Sequence, residues 1–189
     1  FGIDAQVHAF DDTSLLETLS QHPVVARQAH GIGGGRPVVI GPILIGPSAD
    51  SPDARLHTSF AALWLLGSIS RLAAAGCVER ITYLRTHGPG GFLREDRVTP
   101  AEQLFLSLAC AVQAEQVRPA TGNADALDCL LVTSPGERRL LVAHHGESPL
   151  ELMIPYSGTA ALLGARPAPF AAGPVMLAPR SVWQLRFSP

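Results

Sequence analysis

The sequence predicts an α/β segment followed by an all-β one: the last three βα units of a (β/α)8 barrel, then a small antiparallel β-sandwich. Three observations carry this. Apolar strand-like runs alternate with helical patterns over the first two thirds of the chain. The helical period then disappears near Pro119, and short alternating runs separated by turns take over. Finally, three βα units are too few for a free-standing doubly wound sheet, which has five or more strands, but they suit the end of a barrel that carries an accessory domain. The expected division is residues 1–118 for the barrel part and 119–189 for the sandwich.

The elements follow in order. Ile3 to Phe10 reads as a short strand. Asp11, Asp12 and Thr13 offer caps to a helix over Ser14 to Leu19. His22-Pro23 interrupts, and Val24 to His30 forms a second helical piece that Gly31 to Gly35 ends. Pro37 to Ile45 is nearly all apolar, as a parallel strand buried on both faces should be. After a loop from Gly46 to Asp53, Leu56 to Ala75 is the strongest helical pattern, apolar around most of its circumference. Arg80 to Arg85 is the third strand. Pro100 opens the last helix, expected over Ala101 to Gln116. Beyond it, Leu127–Thr133, Arg138–His144, Leu150–Ile154, Val175–Leu177 and Val182–Phe187 read as strands.

Composition excludes several functions. All 14 basic residues counted as Lys or Arg are arginine, as in proteins from GC-rich genomes. Without lysine there is no Schiff base and no P-loop lysine. A net charge of −2 and a pI near 6.4 argue against nucleic acid as a partner. Cys77, Cys110 and Cys129 lie far apart, with no metal or disulfide spacing, and read as core residues in a reducing cytoplasm. The longest apolar run, Phe60 to Ile69, is too short to span a bilayer, so no membrane partner is expected. No cofactor and no metal site is expected. His144 and His145 are adjacent on a strand and point to opposite faces, so they cannot chelate one ion. Gly31 to Gly35 follows a helix, the wrong order for a phosphate loop, and Gly88 to Gly91 reads as a βα loop.

Barrel enzymes keep their chemistry at the C-terminal ends of the strands. Here those ends are Gln6 to Asp11, Pro42 to Gly46 and Arg85 to His87. His8 can act as a base near neutral pH, or simply fill the polar end of its strand. Gln6 shares its face by period two and can bind a substrate hydroxyl. Asp11 can orient the imidazole only if the turn brings it back; otherwise it caps the following helix. Arg85 and His87 share a face and can stabilise an oxyanion or a product carboxylate. Asp53, Arg55 and His57 precede the long helix, Asp53 as a cap or as a partner of Arg55.

Three blocks stand out: Asp4-Ala5-Gln6-Val7-His8-Ala9-Phe10-Asp11-Asp12 with Ser14 to Leu19, then Gly35 to Ile40, then Asp53-Ala54-Arg55-Leu56 through Trp64 and Gly67 to Ile81-Thr82-Tyr83. They resemble the D-apionate lactonases. Glu137 to Ala143 and Leu177 to Val182 are similar to the same family's sandwich. The resemblance covers nearly the whole chain. It implies a TIM barrel with a β-sandwich, shaped like clan A glycoside hydrolases. The implied activity is hydrolysis of a sugar lactone, D-apionolactone to D-apionate, in bacterial apiose catabolism. It also implies that Phe1 lies at a cut, with the first part of the barrel missing and the isolated piece inactive. Where the family pattern is Tyr-Tyr-Glu-Thr-Thr-Gly, this chain has Tyr83-Leu84-Arg85-Thr86-His87-Gly88, with Arg85 in place of the acid. The loop from Gly46 to Pro52 also lacks the Arg and Asn of the family.

Two other functions compete. A clan A-like glycosidase would need a carboxylate pair, and Val39 to Gly46 contains neither Asp nor Glu. A degenerate, carbohydrate-binding member would fit the replacement at Arg85. Three strands with open edges also predict an exposed apolar face around Val7, Val39, Ile43 and Ile81, with aggregation or poor expression.

Overall fold

The computed structural model describes residues 11–45, 53–83, 85–88, 90–109, 111–118 and 126–187. Its first half contains helices α1 (Asp12–Thr18) and α2 (His22–Ile32), strand β1 (Val38–Ile43), a 3-10 turn at Ala54–His57, helix α3 (Ser59–Ala73), strand β2 (Val78–Tyr83) and helix α4 (Pro100–Ala109). β1 and β2 pair in parallel, and α3 makes the crossover between them. The strand predicted over residues 3–10 lies outside the described residues, and Gln6 and His8 lie there with it.

Local chemistry sets the boundaries. Asp11 caps α1, and Thr58 caps α3 by accepting from the Phe60 amide. α4 opens on a capping box. The Glu102 amide donates to Thr99 Oγ1 at 3.1 Å, and the Thr99 amide reaches back to Glu102 Oε2 at 3.4 Å. Within β1, Gly41 has φ +141°, and a Cβ there would sit 2.7 Å from Thr82 Cβ and 2.8 Å from Thr82 O. Only glycine lets the two strands approach this closely.

The second half is antiparallel. Strands β3 (Gln113–Val117), β4 (Leu127–Ser134), β5 (Glu137–His144), β7 (Gly158–Leu162), β8 (Ala168–Phe170) and β10 (Ser181–Phe187) form one sheet in the order β3-β4-β5-β10-β7-β8. Strands β6 (Leu150–Ile154) and β9 (Gly173–Leu177) form a two-stranded ribbon. Leu127, Cys129, Leu140, Val142 and Leu185 of the sheet pack with Leu152, Ile154, Val175 and Leu177 of the ribbon in one cluster. Burial pushes the Cys129 thiol up to about 12, so it stays a neutral core group.

Two expectations are corrected. The last helix ends at Ala109 instead of Gln116, because Gln113 to Val117 pairs with Cys129 to Thr133 as β3. Helical propensity loses here to sheet hydrogen bonds supplied by a distant strand. The antiparallel sheet therefore starts before the expected division at residues 118 and 119. The expected apolar face is also smaller. Val39 is 48% exposed, but Ile43 is fully buried and Ile81 half-buried against the core, because β1 turns Val38, Ile40 and Ile43 towards the helices.

The shared core runs from Leu15 and Leu19 through β1 and α3 to Leu130, Leu141, Ala143 and Val182 on the helix-facing side of the sheet. Inside it sits His22, fully buried, with Nδ1 at 2.9 Å from Ser68 Oγ, which lies 2.7 Å from the Tyr83 hydroxyl. The His22 ring meets Trp64 edge-on at 5.7 Å. Burial, with the Arg71 charge second, lowers the His22 pKa to about 4. A charged ring would carry a proton on Nε2, which has no acceptor among the described residues.

That depression makes stability pH-dependent. The unfolded chain takes up the proton near pH 6.5 and the folded one only near 4, so stability is full above the higher value and falls as pH drops between them. Between pH 7 and pH 5 His22 should cost about 2 kcal/mol. Denaturant unfolding of wild type and His22→Gln at both pH values tests this. The variant should lose that much less on acidification, and an equal loss in both proteins would contradict it.

Candidate active site at the strand ends

In a βα fold the C-terminal ends of parallel strands and the loops after them form one rim. Here the rim is assembled by side chains that lie far apart in sequence. Asp53 caps the 3-10 turn after β1, accepting from the Arg55 amide at 2.9 Å. Arg55 grips the same carboxylate with Nε at 2.9 Å and Nη2 at 2.6 Å. Its Nη1 donates to Asp12 at the start of α1, 3.0 Å away. The guanidinium also lies 5.6 Å from the centre of the Phe60 ring, a cation–π distance. The Arg55 guanidinium holds the Asp53 carboxyl below its ordinary range. Asp53 is thus both cap and partner, the two roles offered for it.

The third part of the rim is the loop after β2. The Phe92 amide donates to Arg85 O and the Leu93 amide to Thr86 O, both at 3.0 Å, so residues 85–86 and 91–93 run side by side. The Gly91 amide closes the turn on Gly88 O at 2.9 Å, which removes it as an anion donor. His57 Nε2 lies 3.0 Å from Gly91 O and ties this loop to the 3-10 turn. Desolvation raises the pKa of the half-buried Tyr83 phenol, at the end of β2 where the loop begins.

The predicted site residues fall unevenly on this frame. Asp11 is an N-cap: its Oδ1 accepts from the Ser14 amide at 2.9 Å and its Oδ2 from Ser14 Oγ at 3.0 Å. These bonds, the amide first, hold its carboxyl below the usual value. Arg85 and His87 are both exposed on the short loop, with His87 Nδ1 at 3.2 Å from Thr86 Oγ1. Gln6 and His8 lie outside the described residues. The links Asp12–Arg55 and His57–Gly91 span 43 and 34 residues, and no local pattern signals them. The histidines of the sequence Arg138 to His145 are structural: His144 Nδ1 lies 2.8 Å from Ala178 O, and His145 Nε2 lies 2.7 Å from Asp128 Oδ2. Among the described residues no group of three His, Cys, Asp or Glu could hold a metal, and no helix is long and apolar enough to cross a membrane.

The Asp53–Arg55–Asp12 cluster should hold the rim together. Arg55→Met is expected to destabilise the protein by about 1–2 kcal/mol at pH 7. Because the Asp53 pKa is lowered, that contribution is present above its ordinary value and disappears as pH falls through the folded one. Wild type and variant should therefore draw together as the solution is acidified below the ordinary carboxylate range in chemical denaturation; a gap independent of pH would rule out the ion pair as its origin.

Comparison with known proteins agrees with this architecture. Residues 1–127 match the family described as D-apionate lactonase, TIM barrel domain. Among solved structures, a GH39 β-xylosidase from Caulobacter crescentus is similar over 90% of this chain and 48% of its own, with 13% identity and a TM-score of 0.59. A GH30 endoxylanase from Clostridium papyrosolvens matches over 95% of this chain and 52% of its own, at 12% identity and a TM-score of 0.55. A GH44 xyloglucanase from Paenibacillus polymyxa matches 92% of this chain and 36% of its own, at 9% identity and a TM-score of 0.56. At such identities the likeness is one of fold. The chain spans about half the length of the first of these structures or less. No curated protein matches it in sequence.

Proposed function

Because the chain belongs to the D-apionate lactonase family, we propose that it is the C-terminal part of an enzyme that hydrolyses a sugar lactone, D-apionolactone to D-apionate. The family match over residues 1–127 carries this reading. In this proposal the described units are the last of a (β/α)8 barrel, and the antiparallel sheet with its ribbon is a β-sandwich accessory domain. The remaining barrel strands belong to the rest of that enzyme. The setting is bacterial sugar catabolism in the cytoplasm.

The chemistry follows from what an ester needs. His8 takes a proton from water as the oxygen attacks the lactone carbonyl carbon. The carbonyl oxygen becomes an oxyanion, and Arg85 and His87 supply the donors that stabilise it. Collapse of the tetrahedral intermediate breaks the ring C–O bond, and the proton returns to the departing alkoxide. Gln6 holds a substrate hydroxyl. With no lysine in the chain, cationic stabilisation within it falls to arginine and histidine. Asp11 would reach the substrate only by leaving Ser14, so we give it the helix start and, through that, the placement of the strand end.

A glycosidase reading draws on the printed activities of the structural neighbours, a β-xylosidase, an endoxylanase and a xyloglucanase. The absence of Asp and Glu from Val39 to Gly46 weighs against a retaining mechanism. A non-catalytic, carbohydrate-binding role draws on Arg85 in place of the family acid.

Acid release from D-apionolactone by the intact protein separates these. Hydrolysis is expected, with His8→Ala slower by about 100-fold or more. Arg85→Glu should also slow it, through loss of oxyanion stabilisation. A rate no higher than buffer would end the lactonase reading, and a rate untouched by His8→Ala would remove His8 from it. Release of xylose from an aryl xyloside would favour the glycosidase.

A further inference from the structure

The helix-facing side of the six-stranded sheet changes character along its strands. Under α3 it is apolar, with Leu130, Leu141 and Val182. Towards α4 it becomes polar. Cross-strand register sets Thr159, Arg186 and Arg139 side by side on β7, β10 and β5, and Gln184 lies in the next row on the same face. Gln103 of α4 lines the opposite wall. The cleft between them has a volume of about 360 Å³, within the range of roughly 300–1,000 Å³ typical of small-ligand sites.

Its walls hold polar atoms that the protein itself does not satisfy. Gln103 Oε1, an acceptor, and Gln184 Nε2, a donor, are buried and have no hydrogen-bond partner among the described residues. Buried polar groups are nearly always bonded, so two such atoms on side chains that line one cleft leave a polar partner to be supplied there. A side-chain amide turns easily about its last torsion, so both can reach into the cleft. A sugar hydroxyl donates and accepts, and can serve both.

The charge balance adds the second half of the ligand. Arg139, only 9% exposed, has Nε 3.1 Å from Glu137 Oε2, and Arg186 Nε lies 3.4 Å from Glu137 Oε1. Arg139 Nη2 donates to Ser134 Oγ at 3.0 Å. The Arg139 Nε–H is not aligned on the Glu137 oxygen as a hydrogen bond. Among the described residues two guanidiniums thus share one carboxylate, an excess of one positive charge at the cleft. Guanidiniums match carboxylates in shape as well as in charge.

We propose that this cleft binds a small polyhydroxy carboxylate, its acid group against Arg139 and Arg186 and its hydroxyls between Thr159, Gln103 and Gln184. The site shares no residue with the strand-end rim, and the proposal does not depend on the lactonase reading.

D-Gluconate serves as the probe, titrated into the intact protein by calorimetry. Glucitol, which keeps the hydroxyls and lacks the acid, and acetate, which keeps the acid alone, should each bind at least about tenfold more weakly. Arg186→Gln and Gln184→Leu should each weaken gluconate binding by about tenfold or more, whereas His8→Ala should leave it unchanged. Arg186 is about half exposed, so its variant tests the site without disturbing the core. Lactone hydrolysis should persist in both cleft variants, which separates failure here from failure of the catalytic proposal. The proposal is overturned if gluconate does not bind at about 50 mM, if the cleft variants bind it as wild type does, or if His8→Ala abolishes binding and they do not.

Discussion

Every layer of this protein depends on the burial of one helix from all sides. A helix with a single apolar stripe needs one partner, whereas one that is apolar around its circumference needs partners in every direction. From Phe60 to Ser68 every residue of α3 is buried. On its different sides it meets α2, α4, the parallel strands and the antiparallel sheet. Removing any of these would expose part of the same apolar surface. The βα part and the antiparallel part are therefore joined by a common core and not merely by chain connection.

That arrangement forces polar groups inside to be answered. Ser68 faces inward and is taken up between His22 and Tyr83. Ser70 receives a hydrogen bond from Gln116 on β3 at 3.2 Å. Arg71, at the end of α3, places Nε at 3.1 and 2.8 Å from the two oxygens of Asp128 on β4, and His145 contacts the second oxygen. Asp128 is 4% exposed, and a carboxylate so buried persists only when paired. These bonds fix the orientation of α3 on the sheet, which dispersion between apolar side chains alone would leave less defined. Gly67 completes the fit: a Cβ there would lie 2.8 Å from Leu19 Cδ1 and 3.0 Å from His145 Cε1. The cation at the Asp128 junction is Arg71. A planar guanidinium can engage two oxygens or two partners at once, which a lysine ammonium does with less directional control.

The parts of the fold that were legible in sequence are those whose signal is local. α3, the strands around Val39 and Ile81, and the paired strands β4, β5 and β10 carry their own apolar period, and each forms within a few residues of its expected limits. The missed elements lack that signal. β3 has mostly exposed residues and exists because β4 offers a hydrogen-bonding edge. β7 and β8 are rich in Ala, Gly, Thr and Pro and are held by β10 and by each other. The strand-end rim was legible only in part. The capping role of Asp53 follows from its position before a helix, but its link through Arg55 to Asp12 requires two βα loops to meet in space.

Composition and periodicity by themselves determined that the chain is an α/β segment leading into antiparallel strands and that it has no lysine chemistry; the family resemblance came from residue blocks, of which those within residues 1–127 are matched and those at Glu137 to Ala143 and Leu177 to Val182 lie outside the match. These are properties of residues and their near neighbours, so a linear reading captures them. Only the tertiary structure decided that the sheet shares a core with α3, that His22 is a buried neutral group, and that Gln103, Arg139, Gln184 and Arg186 border one cleft. Each of those depends on contacts between residues dozens of positions apart. Such contacts form because closing the chain on itself buries more apolar surface than any local segment can, and that long-range packing sets which polar side chains face one another.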